Sequence, residues 1–238
     1  MKRLVEYLHP FERMNRKRVS YAKKRGLPTY LKNLLRSPQL PVSQLASETQ
    51  FVVLDLETTG LDSEEEVILS IGWVEVKHGH IDLSTSKHMY VHSDSKIKPE
   101  TAVVNHITQQ MLADGVSIHE AMRSFFKVAE GKLIVAHGCL VEANFINQYL
   151  LNVFNIDTPP LLWIDTLCIE KRLQKAINSP DEYDVTLSAT RARYGLPAYN
   201  GHNALADAVA TAELLLAQQT RITPQAKTTI GTLYRLSI

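Results

Sequence analysis

The sequence predicts an α/β fold, a mixed sheet covered by helices, and three observations carry that prediction. Residues 51–61 open on an apolar, β-branched run that reads as a buried strand. Two further β-rich runs meet at a His78-Gly79-His80 turn. Beyond them helical and strand patterns alternate, ending in an Ala- and Leu-rich stretch over Ala208–Gln218 that reads as a helix. Hairpin strands followed by alternating helices and strands combine antiparallel and parallel pairing in one sheet.

The chain begins with a basic stretch. From Met1 to Glu48 there are 11 Lys and Arg against 3 acids, a charge of +8, while the remainder carries −7 and the whole chain +1. Arg13, Arg16, Lys17, Arg18, Lys23, Lys24 and Arg25 are expected within one helix, with Leu4, Tyr7, Leu8, Phe11, Met14, Tyr21, Leu31, Leu34 and Leu35 as apolar anchors. Pro38 and Pro41, among Ser and Gln, mark a linker. Such a segment either grips phosphates through counterion release or packs as a solvated helix pair on the acidic remainder. The composition leans towards packing or partner docking, because aromatic interleaving is sparse. The division expected is a basic helical extension over 1–48, a main domain over 49–222 and a tail over 223–238.

The strand pattern continues over Val67–Lys77 and Ile81–His92. Thr108–Ala113 and Ser117–Ala129 read as helices, the second opened by Ser117 with Glu120 at capping-box spacing. A strand over Lys132–Ala136, a helix over Leu140–Phe154 and a buried strand ending at Ile164-Asp165 complete the order. Asp165 precedes Thr166 at a helix start and is expected to cap it.

A chain of 238 residues suits one principal domain plus an appendage. No apolar run approaches the roughly 20 residues of a membrane span, and the N-terminus lacks a signal-peptide core, so a cytoplasmic protein without a membrane partner is expected. Cys139 and Cys168 are too few for a disulfide framework and lack metal-site spacing.

The chemistry concentrates in two segments. In Leu54-Asp55-Leu56-Glu57-Thr58-Thr59-Gly60-Leu61 the carboxylates at 55 and 57 stand two residues apart, so a strand turns both to one face. Converged carboxylates repel and lose solvation, a cost that a divalent cation offsets. The same spacing also suits a strand whose acids simply face water. Downstream, Gly201-His202-Asn203-Ala204-Leu205-Ala206-Asp207-Ala208 places a histidine five positions before an aspartate at a helix start. With Asp55 and Glu57, His202 and Asp207 fit a metal site with an adjacent general base.

These segments resemble the first and third motifs of the DEDDh 3'-5' exonucleases, the family that includes the proofreading epsilon subunit of bacterial DNA polymerase III. The likeness runs from about Phe51 to Thr220, through Ile68-Leu69-Ser70-Ile71-Gly72, Asn105-His106-Ile107-Thr108 and Leu133-Ile134-Val135-Ala136-His137. It departs at the second motif, where Glu142 occupies the slot in which the family places an aspartate five residues after the histidine. Glutamate keeps the charge and adds a methylene, so it serves the site if the backbone sits further back; otherwise the site is weakened.

The resemblance implies a ribonuclease H-like fold and hydrolysis of a 3' end to nucleoside monophosphates. It implies Asp55, Glu57, Glu142 and Asp207 as ligands of two divalent cations, Mg2+ or Mn2+, with His202 taking the proton of the attacking water. Thr58, Thr59, Gly60 and Leu61 are expected to cradle the terminal nucleotide, with His106 and His137 lining its pocket. Each has an ordinary alternative: Leu61 as a loop contact, His106 as a helix cap, His137 as a packed strand end. The expected partner is a single-stranded 3' end, DNA before RNA, in a replication or repair setting. An RNA-directed enzyme and a weakly catalytic scaffold that keeps the fold remain the alternatives.

Overall fold

A computed structural model describes residues 6–93, 107–176, 183–225 and 227–238. His106 lies outside them. Strand β1 (Phe51–Thr58) pairs antiparallel with β2 (Ile68–Lys77), and β2 with β3 (His80–Tyr90). His78 and Gly79 both take positive φ, 52° and 72°, the two-residue turn whose twist matches a hairpin. On the other side of β1, β4 (Leu133–Ala136) and β5 (Trp163–Asp165) add parallel, giving the order β3-β2-β1-β4-β5. The mixed sheet expected from the sequence is present.

Period-two alternation along β1 divides the core. Val52, Leu54 and Leu56 face one helical layer, and Phe51 and Val53 face the other. The first layer holds α2 (Thr29–Arg36), α4 (Ile118–Ala129) and α5 (Leu140–Phe154), the last two separated from β3 by the short α3 (Gln109–Ala113). The second holds α1 (Pro10–Tyr21), α6 (Thr166–Ala176), α8 (Ala204–Ile222) and α9 (Ile230–Leu236), while α7 (Leu187–Arg193) packs beside α8. Asp55 and Glu57 belong to the face of Val53, so the strand that builds the core also aims both carboxylates at α8.

The basic segment differs from the single helix expected. Helix α1 ends at Tyr21, Lys23–Arg25 form the turn that follows, and Gly26 takes φ +82°. Phe11, Asn15 and Arg18 make the buried stripe of α1. Arg18 is 1 % exposed and donates to the carbonyls of Leu34 (2.7 Å) and Pro38 (3.2 Å). It is a buried tie between α1 and the end of α2, held by backbone oxygens at its two terminal nitrogens. Val42 accepts from Gly231 N–H at 2.9 Å and Gln44 from Ile230 N–H at 2.8 Å, so the proline-bearing stretch lies along the start of α9. Ile230, Leu233 and Tyr234 are buried beside Phe11.

Helix α8 begins four residues earlier than the Ala- and Leu-rich stretch suggested, with Asn203 as its cap accepting from Ala206 N–H. Among the described residues no helix is long and apolar enough to cross a membrane.

Candidate active site

Three elements build the site at the C-terminal end of β1. Asp55 and Glu57 come from β1 and Asp207 from the first turn of α8, and their carboxylate oxygens lie within 4.8 Å of one another. What lets α8 come this close is Gly72, which pairs with Asp55 across the sheet. A Cβ there would stand 2.2 Å from the Ala204 carbonyl carbon and 2.3 Å from Leu205 N, so the first turn of α8 rests where a side chain would otherwise be.

Asp207 is held from behind. Its Oδ2 accepts from the backbone N–H of His202 (2.8 Å) and of Asn203 (3.2 Å). His202 takes φ +63°, a left-handed conformation that histidine seldom adopts, and the turn it makes delivers those two amides. Five residues of separation in the sequence thus become a hydrogen-bonded loop.

Glu142 arrives from the other layer, in the first turn of α5, and is buried. Among the described residues its Oε2 has no hydrogen-bond partner. The four carboxylates destabilise each other's charge. Burial, then the charges of Glu142, Asp207 and Glu57, hold Asp55 well above the usual carboxylate range. Burial and then Asp207 push Glu57 up to about 7. Burial first, with Asp165 adding to it, pushes Glu142 up to about 8. Asp207 is raised by burial, against the two loop amides that favour its ionised form. An orphaned buried oxygen and three converged carboxylates, without a cationic partner among the described residues, form a hard-oxygen donor set that fits divalent cations.

Beside the carboxylates lies a cavity of about 500 Å3, lined by Asp55, Asp207, His137, His202, Arg191 and Tyr199 among others. The two histidines differ in their commitments. His137 Nε2 donates to the Val185 carbonyl (2.9 Å) and Nδ1 meets Thr166 Oγ1 (2.9 Å), while burial lowers its pKa. The His202 ring is exposed and makes no hydrogen bond among the described residues. His137 is a fixed wall, and His202 has a ring nitrogen to offer a substrate.

The loop after β1 is braced by its own polar atoms. Thr58 Oγ1 donates to Gly60 O (2.6 Å), Thr59 Oγ1 pairs with Glu66, and Thr59 Oγ1 accepts from Val67 N–H (3.0 Å). Leu61 is 78 % exposed and borders a separate depression with Asn144 and Asn147, outside the cavity of the histidines. Asp165 is occupied elsewhere: its Oδ1 accepts from Leu167 N–H (2.9 Å), Cys168 N–H (3.2 Å) and Gly138 N–H (2.9 Å).

Sequence reasoning missed several neighbours. Ser70 pairs with Glu57 and with Tyr90, and Gly72 with His88, which puts all of them on the carboxylate face. Ser70 Oγ and His88 Nε2 are buried without a partner among the described residues, and both residues line a second cavity with Glu57. The hairpin register is the signal that would have found them. Arg191 was missed as well; it is buried, donates to Pro197 O (2.8 Å) and Glu213 (2.6 Å), and lies over the Tyr199 ring. It ties the loop before His202 to α8.

The family described as Exonuclease matches residues 52–215. The chain is 32% identical over 166 residues to the DNA polymerase III PolC-type protein of Thermotoga petrophila, a match covering 70% of this chain and 12% of that protein. It is 30% identical over 189 residues to the 3'-5' exonuclease DinG of Staphylococcus haemolyticus, covering 79% and 20%. The chain therefore spans a fifth or less of the length of these curated relatives. Exonuclease X in complex with 5' overhanging duplex DNA superposes with a TM-score of 0.60 at 22% identity, over 79% of this chain and 99% of that one. E. coli exonuclease I in complex with a dT13 oligonucleotide gives 0.60 at 16%, over 73% and 42%. Matched along most of its length, with the fold these structures share, the chain belongs to the DEDDh 3'-5' exonuclease family.

Proposed function

We propose that the chain is a metal-dependent 3'-5' exonuclease that releases nucleoside monophosphates from single-stranded ends, DNA in preference to RNA. The observation that carries the reading is the convergence of Asp55, Glu57 and Asp207 oxygens within 4.8 Å, with no ion pair to a cationic side chain among the described residues. Asp55, Glu57, Asp207 and Glu142 would hold two divalent cations, Mg2+ or Mn2+. When bound, these supply a Lewis acid for the phosphate and a more acidic water.

The protein's own groups do the rest. His202, its ring uncommitted beside Asp207, accepts the proton of the attacking water at a ring nitrogen. The Gly201–Asn203 turn keeps Asp207 and His202 in fixed relation, because the same residue supplies both an amide to one and the base itself. Thr58 to Gly60 form a rigid cradle for the terminal sugar, and Leu61 offers exposed apolar surface to its base. His137 closes the far wall. DNA is favoured because the relatives include DNA polymerase III proteins and exonuclease I was seen with dT13. The DNA polymerase III and exonuclease relatives support a replication or repair setting, and we place the protein in the cytoplasm.

The test is a time course on labelled single-stranded DNA and RNA in Mg2+, Mn2+ or chelator. Monophosphate release from DNA that stops in chelator is the expected result. Equal or faster release from RNA would overturn the preference, and binding without release in either metal would favour the scaffold reading.

A further inference from the structure

The structure divides the basic N-terminal segment into two classes of cation. Arg18 lies on the buried stripe of α1 with Phe11 and Asn15 and spends its guanidinium on backbone carbonyls. Arg13 and Lys17 stand one turn apart on the side of α1 away from that stripe, Lys24 lies in the turn just beyond the helix end at Tyr21, and all three are exposed. Lys23 and Arg25 flank Lys24 and are exposed too. Among the described residues none of these five has a carboxylate within 4.0 Å, although Glu12 stands four residues before Arg16 on the flank. A fold that needs only Arg18 leaves five cations facing water.

Beside the stripe is an aromatic surface. Tyr7 is 57 % exposed and carries the Arg16 guanidinium 3.8 Å above its ring, while Arg16 also donates to Tyr7 O at 2.8 Å. Lys24 lies 3.9 Å over the Tyr21 ring. Exposed cations along a helix and the turn that follows it, with aromatic rings beside them, suit a phosphate backbone. The remainder of the chain carries −7, so this stripe is where a polyanion meets attraction.

We propose that the Arg13-Lys17-Lys24 stripe, with Tyr7 and Arg16, is a second nucleic-acid contact that holds the single strand well upstream of the 3' end. The proposal rests on the exonuclease reading above. Phe11 packs beside Phe51 at the start of β1. Glu57 lies six residues further on, roughly 20 Å at the rise of a strand. The stripe is on the outer side of a helix about 10 Å across. At about 3.4 Å per nucleotide, a stacked strand covers that distance in about six nucleotides. Long substrates engage the stripe, and very short ones reach the carboxylates alone.

The test compares the native chain with the triple variant Arg13→Gln, Lys17→Gln, Lys24→Gln. Hydrolysis of a DNA tetramer is measured in Mg2+, and binding of a 20-nucleotide DNA is measured by anisotropy in chelator across a salt series. Neutralising three phosphate-binding cations on a single-strand site flattens the log K against log salt slope by about 2 and weakens 20-mer binding about tenfold to a hundredfold at low salt. Tetramer turnover stays unchanged. An unchanged slope and affinity would overturn the proposal and leave the stripe to an acidic protein partner. A loss on the tetramer as large as on the 20-mer would also overturn it, since the change would then act through the fold. A native chain that binds the 20-mer with the steep slope but cleaves nothing would sink the exonuclease reading and leave the surface standing.

Discussion

Two groups of buried carboxylates in this molecule have opposite characters. Glu170, on α6, is fully buried and surrounded by partners: Tyr194 donates at 2.8 Å, Arg193 stands at 3.3 Å and Arg221 at 3.5 Å, with Gln174 and Gln218 alongside. Burial pushes its pKa up, but the hydrogen bonds from Gln174, Tyr194 and Gln218 and the charge of Arg193 outweigh it, and the net shift is downwards. Asp55, Glu57, Asp207 and Glu142 are crowded together with no ion pair among the described residues, and every shift is upwards. One group is satisfied by the chain and holds helices together. The other is left incomplete by the chain and has charge to give to something else. Burial of an acid is thus no guide to its purpose; the identity of its neighbours is.

The comparison breaks most sharply at the acids proposed as metal ligands. Asp55→Ala or Asp207→Ala should cut nuclease turnover roughly ten-thousandfold or more, since each removes both charge and ligand from the reacting centre. The melting temperature of the metal-free protein should hold or rise, and turnover near the native rate would remove that residue from the ligand set. His202→Ala should lower the chemical step by roughly 100-fold to 10,000-fold with metal affinity unchanged, read by single-turnover kinetics and metal titration. An equal loss of metal affinity would make His202 a ligand.

Glu170→Ala inverts the pattern. It should cost about 2–3 kcal/mol in urea unfolding, because Arg193, Arg221 and Tyr194 lose a shared acceptor, while turnover at 25 °C stays within about threefold. Glu142→Gln should reduce turnover roughly tenfold or more and stabilise the metal-free fold by about 1 kcal/mol, since a crowded charge leaves and the volume stays. An unaffected Glu142→Gln enzyme would place that residue outside the reaction.

The response to pH separates the two groups by its sign. Glu57 and Glu142 have folded values of about 7 and about 8, above their unfolded value of 4.5. The stability they contribute is therefore complete below about pH 4.5 and lost as pH climbs through 7 and 8. Glu170 is lowered, so its contribution is present above 4.5 and lost as pH falls through its folded value. Metal-free melting curves should decline from about pH 5 to 8, saturating Mg2+ should remove most of the decline, and Glu142→Gln should flatten it.

Much of this was legible in the residues. Asp55 and Glu57 could be placed on one face because a strand's period is two, and the helix carrying Asp207 was marked by its Ala and Leu content. The reach of α8 back to Ala204 was missed although Ala204-Leu205-Ala206 are strong helix formers, because the boundary is set by Asn203 as the cap. Charge counting also misread the N-terminal segment, since it treats Arg18 and Lys17 alike. Their separation needs the stripe of Phe11, Asn15 and Arg18, which becomes visible only once something packs on it. Glu170 gave no signal, because its partners come from positions 174 to 221.

Gly72 sets a tolerance for the whole assembly. With the Ala204 carbonyl carbon 2.2 Å from where a methyl would stand, even alanine must lift the start of α8 by the better part of an ångström or bend β2 away. Either movement parts Asp207 from Asp55. A collection of inactive variants selected at random should therefore contain Gly72 replacements beside those of the acids, although Gly72 is not among the residues that line the cavity. In drift over generations, the residue with no side chain should be as hard to change as the acids proposed to hold the metals.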